Sequence, residues 1–180
     1  MKISVFGYSG GGKSTLAKAL GGLYGLPVLH LDSVHFLEGW EERPREEMSA
    51  IVQQFLEEND GWVIDGTYKH NCFERRMQES DLLIFLDFNR ITCFFRAWKR
   101  YRKYRGKTRA DMAAGCEERF NGEFIRWLLW DGRVKRRRQA FHAVVKQYKH
   151  KTVVIKNQRQ LTAFLRSCER GTIAAKREEK

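Results

Sequence analysis

At 180 residues, 42% of them hydrophobic, the chain is long enough for one α/β domain with a buried core. No apolar run approaches the length of a membrane span and the first residues read as a strand rather than a leader, so neither a membrane protein nor an exported one is expected. The net charge of +12 is uneven: residues 1–89 hold 8 Lys and Arg against 14 Asp and Glu, whereas residues 90–138 hold 16 against 5. That asymmetry points to an anionic partner for the second half, either a phosphate ester or a nucleic acid. Cys72, Cys93, Cys116 and Cys168 form no C-x-x-C pair. A zinc site and a disulfide framework are thus both disfavoured, and reduced thiols in a cytoplasm are expected.

Lys2 to Phe6 carries Ile3, Val5 and Phe6 and predicts a first strand. Next comes Gly7-Tyr8-Ser9-Gly10-Gly11-Gly12-Lys13-Ser14, a full G-x-x-x-x-G-K-[ST] pattern. Glycines there let successive backbone N–H groups turn inward toward a polyphosphate without a Cβ in the way. Lys13 supplies a mobile cation for the β- and γ-phosphates, and the Ser14 hydroxyl suits Mg²⁺. Leu16, Ala17, Ala19, Leu20 and Leu23 recur at helical spacing, so a helix N-terminus faces the bound anion. The expected nucleotide contacts are Gly7, Ser9, Gly10, Gly11, Gly12, Lys13, Ser14 and Thr15.

Val28 to Asp32 reads as a second strand, and Pro44 opens a helix bearing Met48, Ile51, Val52, Phe55 and Leu56. Trp62 to Asp65 is a third strand, a short helix lies around Phe73 to Met77, and Leu82 to Phe88 is a fourth strand. Ile91, Phe94, Phe95, Trp98 and Tyr101 form the next helical stripe, and Gly106 to Gly115 interrupts the periodicity. A long helix or a pair broken at Gly132 follows, then a strand over Thr152 to Ile155 and a closing helix at Leu161 to Leu165. Residues 1–168 are expected to form one domain, with 169–180 a flexible polar tail. Strands alternating with helices predict an α/β fold with a five-stranded parallel sheet, right-handed crossovers, and ligands beyond the C-terminal strand ends.

Asp65, at the end of an apolar strand, is placed to serve the metal alongside Ser14, with Asp87 a rival for that role or a turn cap. Asp32 and His35 follow the second strand, where an acid and an imidazole can accept a proton from a hydroxyl acceptor or orient it. Trp40 and Tyr68 offer flat surfaces for a planar acceptor or serve as packing anchors. Among the basic residues crowding 96–109, Arg105 and Arg109, with Arg119 beyond the break, are the expected phosphate arginines of a mobile lid at about 104–120. The run Lys135-Arg136-Arg137-Arg138 reads as a solvated helix surface or a nucleic-acid contact.

Together GYSGGGKS (7–14), HLDSVHF (30–36), GWEERPREEM (39–48), WVIDGTY (62–68), LIFLDFNR (83–90) and YRGKTRADMAAGCEERF (104–120) resemble the DNA topology modulation proteins. Those are P-loop proteins similar to adenylate kinase and other nucleoside-monophosphate kinases. The resemblance implies an adenylate-kinase-like topology with a helical, arginine-rich lid, and ATP with Mg²⁺ as cofactors. It implies Lys13 on the phosphates, Ser14 and Asp65 at the metal, and the 32–48 segment at an acceptor site, within an acceptor-side segment expected at about 32–60. Asp65-Gly66 resembles the Asp-Gly pair of adenylate kinases, but Thr67-Tyr68-Lys69 replaces the proline and arginine that follow it there. The expected activity is transfer of the γ-phosphoryl group to a small acceptor. Nucleotide-regulated DNA binding is the alternative, as is a slow ATPase without an acceptor.

Overall fold

The computed structural model describes residues 1–171. Five strands, β1 (Lys2–Gly7), β2 (Val28–His30), β3 (Trp62–Asp65), β4 (Leu82–Leu86) and β5 (Thr152–Ile155), form one sheet in the order β2-β3-β1-β4-β5. All neighbours pair in parallel. The central β3, β1 and β4 are apolar along almost their whole length because helices cover both sheet faces.

Strand alternation divides the interior in two. Val63 joins the main core with Ile3, Val5, Leu83 and Phe85, whereas Trp62 and Ile64 point to the other face. There they meet Met48, Val52 and Leu56 from α3 (Arg45–Glu58). The main core is closed by α1 (Lys13–Tyr24), α5 (Arg90–Tyr104), α7 (Lys135–Gln147) and α8 (Gln158–Glu169). Between these lie α2 (Leu31–His35), α4 (Phe73–Glu79) and α6 (Gly122–Leu129).

Several boundaries differ from the sequence reading. The second strand stops at His30, and Leu31–His35 is a short helix, so Asp32 sits in a helical first turn rather than at a strand end. The fourth strand ends at Leu86, ahead of Asp87 and Phe88. The expected break at Gly132 is present as a single 3₁₀ turn over Asp131–Arg133. On α5 only Phe94 and Tyr101 of the predicted stripe turn toward Phe120. Ile91, Phe95 and Trp98 are exposed, and the buried line runs through Cys93 and Ala97, whose small side chains fit the tight space beneath the helix. Of the expected tail, Glu169 ends α8 and Arg170 and Gly171 follow it, while 172–180 lies outside the described residues.

The expected lid is an irregular arm at 105–121 slung between α5 and α6, closed on itself by a bridge pairing Thr108 with Glu117. Helix α6 restarts where the Asn121 side chain accepts from the Phe124 N–H over 2.9 Å. Replacing that cap by alanine should cost about 1 kcal/mol. A thermal melt of Asn121→Ala should therefore fall by only about 2–4 °C for a chain of this size.

Candidate active site

Gly7 to Ser14 links β1 to α1 at the C-terminal edge of the sheet. Two glycines there have no substitute. A Cβ on Gly7 (φ +137°) would lie 2.5 Å from the Leu86 carbonyl oxygen, and one on Gly10 (φ +74°) 2.5 Å from that of Cys93. Both obstacles are backbone, so the loop is seated directly on the β4–α5 connection. Tyr8 anchors it from below, with its ring edge-on to Phe141 (centroids 5.2 Å apart) and the Arg133 guanidinium 3.9 Å over its face. The Gly11 N–H donates to Tyr8 O over 3.1 Å, and Lys13 Nζ donates to the same carbonyl over 3.2 Å. Lys13 is thereby folded back across its own loop.

Ser14 Oγ donates to Asp65 Oδ2 over 2.9 Å, while the other Asp65 oxygen is bonded to His30 Nδ1. Sheet register makes this contact possible: Asp65 on β3 lies beside Val5 on β1 and His30 on β2. Asp65 is only 3% exposed. Burial works against a charged His30, yet the Asp65 hydrogen bond and the nearby Asp65, Asp111 and Asp32 carboxylates outweigh it and raise the imidazole above its ordinary range. Asp87 makes no such contact with Ser14; its backbone N–H donates to Ile155 O, and its charge acts on Tyr8.

Asp32 lies near the same sheet edge, where its Oδ1 accepts from the Tyr68 hydroxyl over 2.7 Å. Burial, and then the Asp32 charge, push the Tyr68 phenol far above the ordinary tyrosine range. The His35 ring packs 4.5 Å from the Tyr68 ring and its Nε2 lies 3.6 Å from Glu42. Trp40 stacks edge-on to Phe36 at 5.0 Å, so it anchors the 36–43 hairpin.

The arm rests on that hairpin. Trp40 Nε1 donates to Glu117 O (3.0 Å) and Cys116 Sγ to Leu37 O (3.1 Å), while Arg119 donates to Gly39 O (3.2 Å) and stands 5.0 Å over the Trp40 ring. Within the arm, buried Glu118 is gripped by Arg100 and Arg109, each at 2.6 Å, and Arg109 also reaches Asp111 at 2.5 Å. Of the three arginines expected at phosphate, Arg109 is thus held by acids and Arg119 by Trp40. Arg105 is exposed just past α5 and pairs with no acid among the described residues.

Three other side chains of the second half touch the loop. Arg96 donates from NH1 to Gly11 O over 2.8 Å, Trp127 Nε1 donates to Ser9 Oγ over 3.2 Å, and Arg133 covers Tyr8. Sequence reasoning placed Arg96 within an undifferentiated basic run. The available signal was its position three after Cys93 and one before Ala97, beside the line that faces the sheet. Trp127 and Arg133 carried no comparable mark, because their contacts span more than a hundred residues of chain.

The donor set at Ser14 and Asp65 consists of hard oxygens, a hydroxyl and a carboxylate 2.9 Å apart. That suits Mg²⁺, which takes one or two protein oxygens together with substrate phosphates rather than an all-protein cage. Accordingly, no cluster of three or more His, Cys, Asp or Glu able to hold a metal by itself occurs among the described residues. Nor is any helix among them long and apolar enough to cross a membrane.

No family model matches the chain, and no curated protein matches it in sequence. Solved structures do match. A shikimate kinase from Acinetobacter baumannii in complex with shikimate aligns at TM-score 0.54 and 14% identity, over 98% of this chain and 94% of its own. A gluconokinase from Sinorhizobium meliloti aligns at 0.54 and 17% identity, over 97% and 92%. A deoxyadenosine kinase from M. mycoides with bound dATP aligns at 0.52 and 16% identity, over 97% and 98%. The fold of this chain is therefore that of the small P-loop kinases.

Proposed function

We propose that this protein is a cytoplasmic phosphotransferase that moves the γ-phosphoryl group of Mg·ATP to a hydroxyl of a small acceptor, a nucleotide or a metabolite. One observation carries the reading. The phosphate loop with its Ser14–Asp65 pair and the Asp32–Tyr68 pair stand at one edge of the sheet, with the hairpin and arm closed together beside them. The loop proposed for the nucleotide and a carboxylate able to take a hydroxyl proton thus lie at one sheet edge, where Asp65 and Asp32 both act on His30.

In this reading Lys13 exchanges the Tyr8 carbonyl for the β- and γ-phosphates, and the loop amides from Gly7 to Thr15 cradle them. Ser14 and Asp65 would hold Mg²⁺, which when bound neutralises charge on the β- and γ-oxygens. Asp32 takes the proton of the acceptor hydroxyl as its oxygen bonds to the γ-phosphorus, and the β–γ bridging bond breaks to release ADP. Tyr68, with its phenol held protonated, keeps Asp32 oriented and does not compete as a base. Arg96 is already at the loop, and Arg105 and Arg119 would add charge from the arm. Arg109 joins the phosphates only by releasing Glu118 or Asp111.

The first test is ADP formation from Mg·ATP, alone and with nucleoside monophosphates, nucleosides and small metabolite alcohols. Acceptor-stimulated turnover is expected; turnover indifferent to every acceptor would sink the kinase reading. The metal assignment has its own test, because Asp65 and Asp87 make opposite forecasts. Asp65→Asn should raise the Mg²⁺ concentration for half-maximal turnover by about 10–100-fold, and Asp87→Asn should leave it unmoved.

A second reading, a nucleic-acid partner of the kind the resemblance to DNA topology modulation proteins implies, draws on α5. Ile91, Phe95 and Trp98 are exposed there, with the Arg102 guanidinium 5.0 Å over the Trp98 ring. Titration of duplex and single-stranded DNA against salt decides it, since phosphate contacts lose affinity steeply as salt rises.

A further inference from the structure

Arg76 is the most anomalous charge in the described structure. It lies in α4, is 0% exposed, and joins no salt bridge among the described residues. Taking a guanidinium out of water without an acid partner costs several kcal/mol. Burial is strong enough to bring its pKa down to about 10. Its donors go elsewhere: Nε to Asn71 O and NH2 to Tyr68 O, both at 3.1 Å, while NH1 has no protein partner.

Both carbonyls belong to the 66–72 loop between β3 and α4. That loop ends in strain, because Cys72 adopts a left-handed conformation (φ 50°) and supplies no side-chain cap to the helix. Asn71 binds the loop to α3, donating to Met48 Sδ and accepting from Ser49 Oγ over 3.2 Å. Tyr68 reaches across to Asp32. Both anchor residues of the loop thus offer their carbonyls to one guanidinium. Arg76 is itself fastened to the sheet: its own carbonyl accepts from Ser80 Oγ over 2.6 Å, and that hydroxyl also meets Ser4 Oγ on β1.

We infer that Arg76 is a positioning residue for the acceptor side of the site: its guanidinium holds the 66–72 loop so that the Tyr68 hydroxyl is delivered to Asp32. The inference rests on the phosphotransfer reading for what that positioning serves, but the geometry can be measured without any acceptor. With 3-fluorotyrosine incorporated at position 68 of the full chain, the ¹⁹F resonance reports the phenol directly. In the parent it should stay protonated into strongly alkaline pH. Arg76→Met should remain folded but melt several degrees below the parent, since the buried charge is removed while the Asn71 and Tyr68 carbonyls lose their donor. Its residue-68 resonance should shift or broaden and acquire an ionisation at lower pH, while Mg·ATP affinity stays within about twofold because the phosphate loop is untouched.

A folded Arg76→Met protein with an unchanged resonance and titration would overturn the inference. If that variant does not fold, Arg76→Lys decides the matter: it retains the charge but can satisfy the two carbonyls only in part. An intermediate shift supports the positioning role, and an unmoved resonance overturns it. Failure of the phosphotransfer reading shows separately, as an absence of Lys13-dependent ADP formation in the unsubstituted protein.

Discussion

Lys13→Ala should reduce ADP formation on the order of 10³-fold, at the upper end of what removing one transition-state donor costs. The structure explains why the loss should be confined to chemistry. Lys13 makes one hydrogen bond, to the Tyr8 carbonyl, and no ion pair among the described residues. Its ammonium is therefore available for incoming phosphate, and its removal leaves no buried acid unpaired. The loop owes its shape to other contacts: Gly7 and Gly10 against backbone, Tyr8 in the aromatic core, and Arg96 on the Gly11 carbonyl. The variant should melt with the parent and show the same far-ultraviolet circular dichroism. Undiminished turnover in a folded Lys13→Ala protein would remove the phosphate loop from the reaction altogether.

For Asp32→Asn the expected loss is about 10²–10³-fold in acceptor-dependent turnover, within the range of general-base catalysis. The amide has the shape of the carboxylate, and its oxygen can still accept from the Tyr68 hydroxyl. What disappears is the capacity to take a proton. Because Asp32 contacts neither the glycine loop nor Ser14 in the structure, nucleotide affinity should be unaltered; isothermal titration with ATP alongside steady-state kinetics separates the two quantities. Parallel losses in binding and turnover would make Asp32 a support for the α2 turn instead of the base.

These expectations differ in how much of their basis could be read from residues in a row. The glycine loop and its lysine are local chemistry. The function proposed for them requires that consecutive amides converge on one anion, so their spacing along the chain is itself the signal. Hydrophobic periodicity is local in the same way, and it located five strands that the structure contains, with β3 and β5 at the predicted limits. It failed where two environments compete for one segment. At Leu31 and Asp32 the Val28-to-Asp32 run reads as continuing strand, yet Leu31 and Val34 are both buried from a helical turn. On α5 the large aromatics suggested the buried face, but close approach to the sheet selects Cys93 and Ala97.

Charge was the least legible property. Sixteen basic residues between 90 and 138 lead one to expect an anionic partner without saying which of them are free to meet it. That depends on where acids fall after folding. Glu118 occupies Arg100 and Arg109, Trp40 occupies Arg119, and Arg96 is carried onto the loop from 85 residues away. The choice between Asp65 and Asp87 has the same character, since both end apolar runs and only sheet register brings Ser14 to Asp65.

By itself, then, the chain determined the glycine-loop motif and the α/β alternation, because each is carried by neighbouring residues at fixed spacing. Only the tertiary structure decided which carboxylate faces Ser14, which arginines are neutralised, and that Tyr68 is joined to Asp32 and held by Arg76. Those are contacts between distant segments, and hydrogen bonds and ion pairs act over a few ångströms, so no pattern along the chain encodes them until the strands have paired.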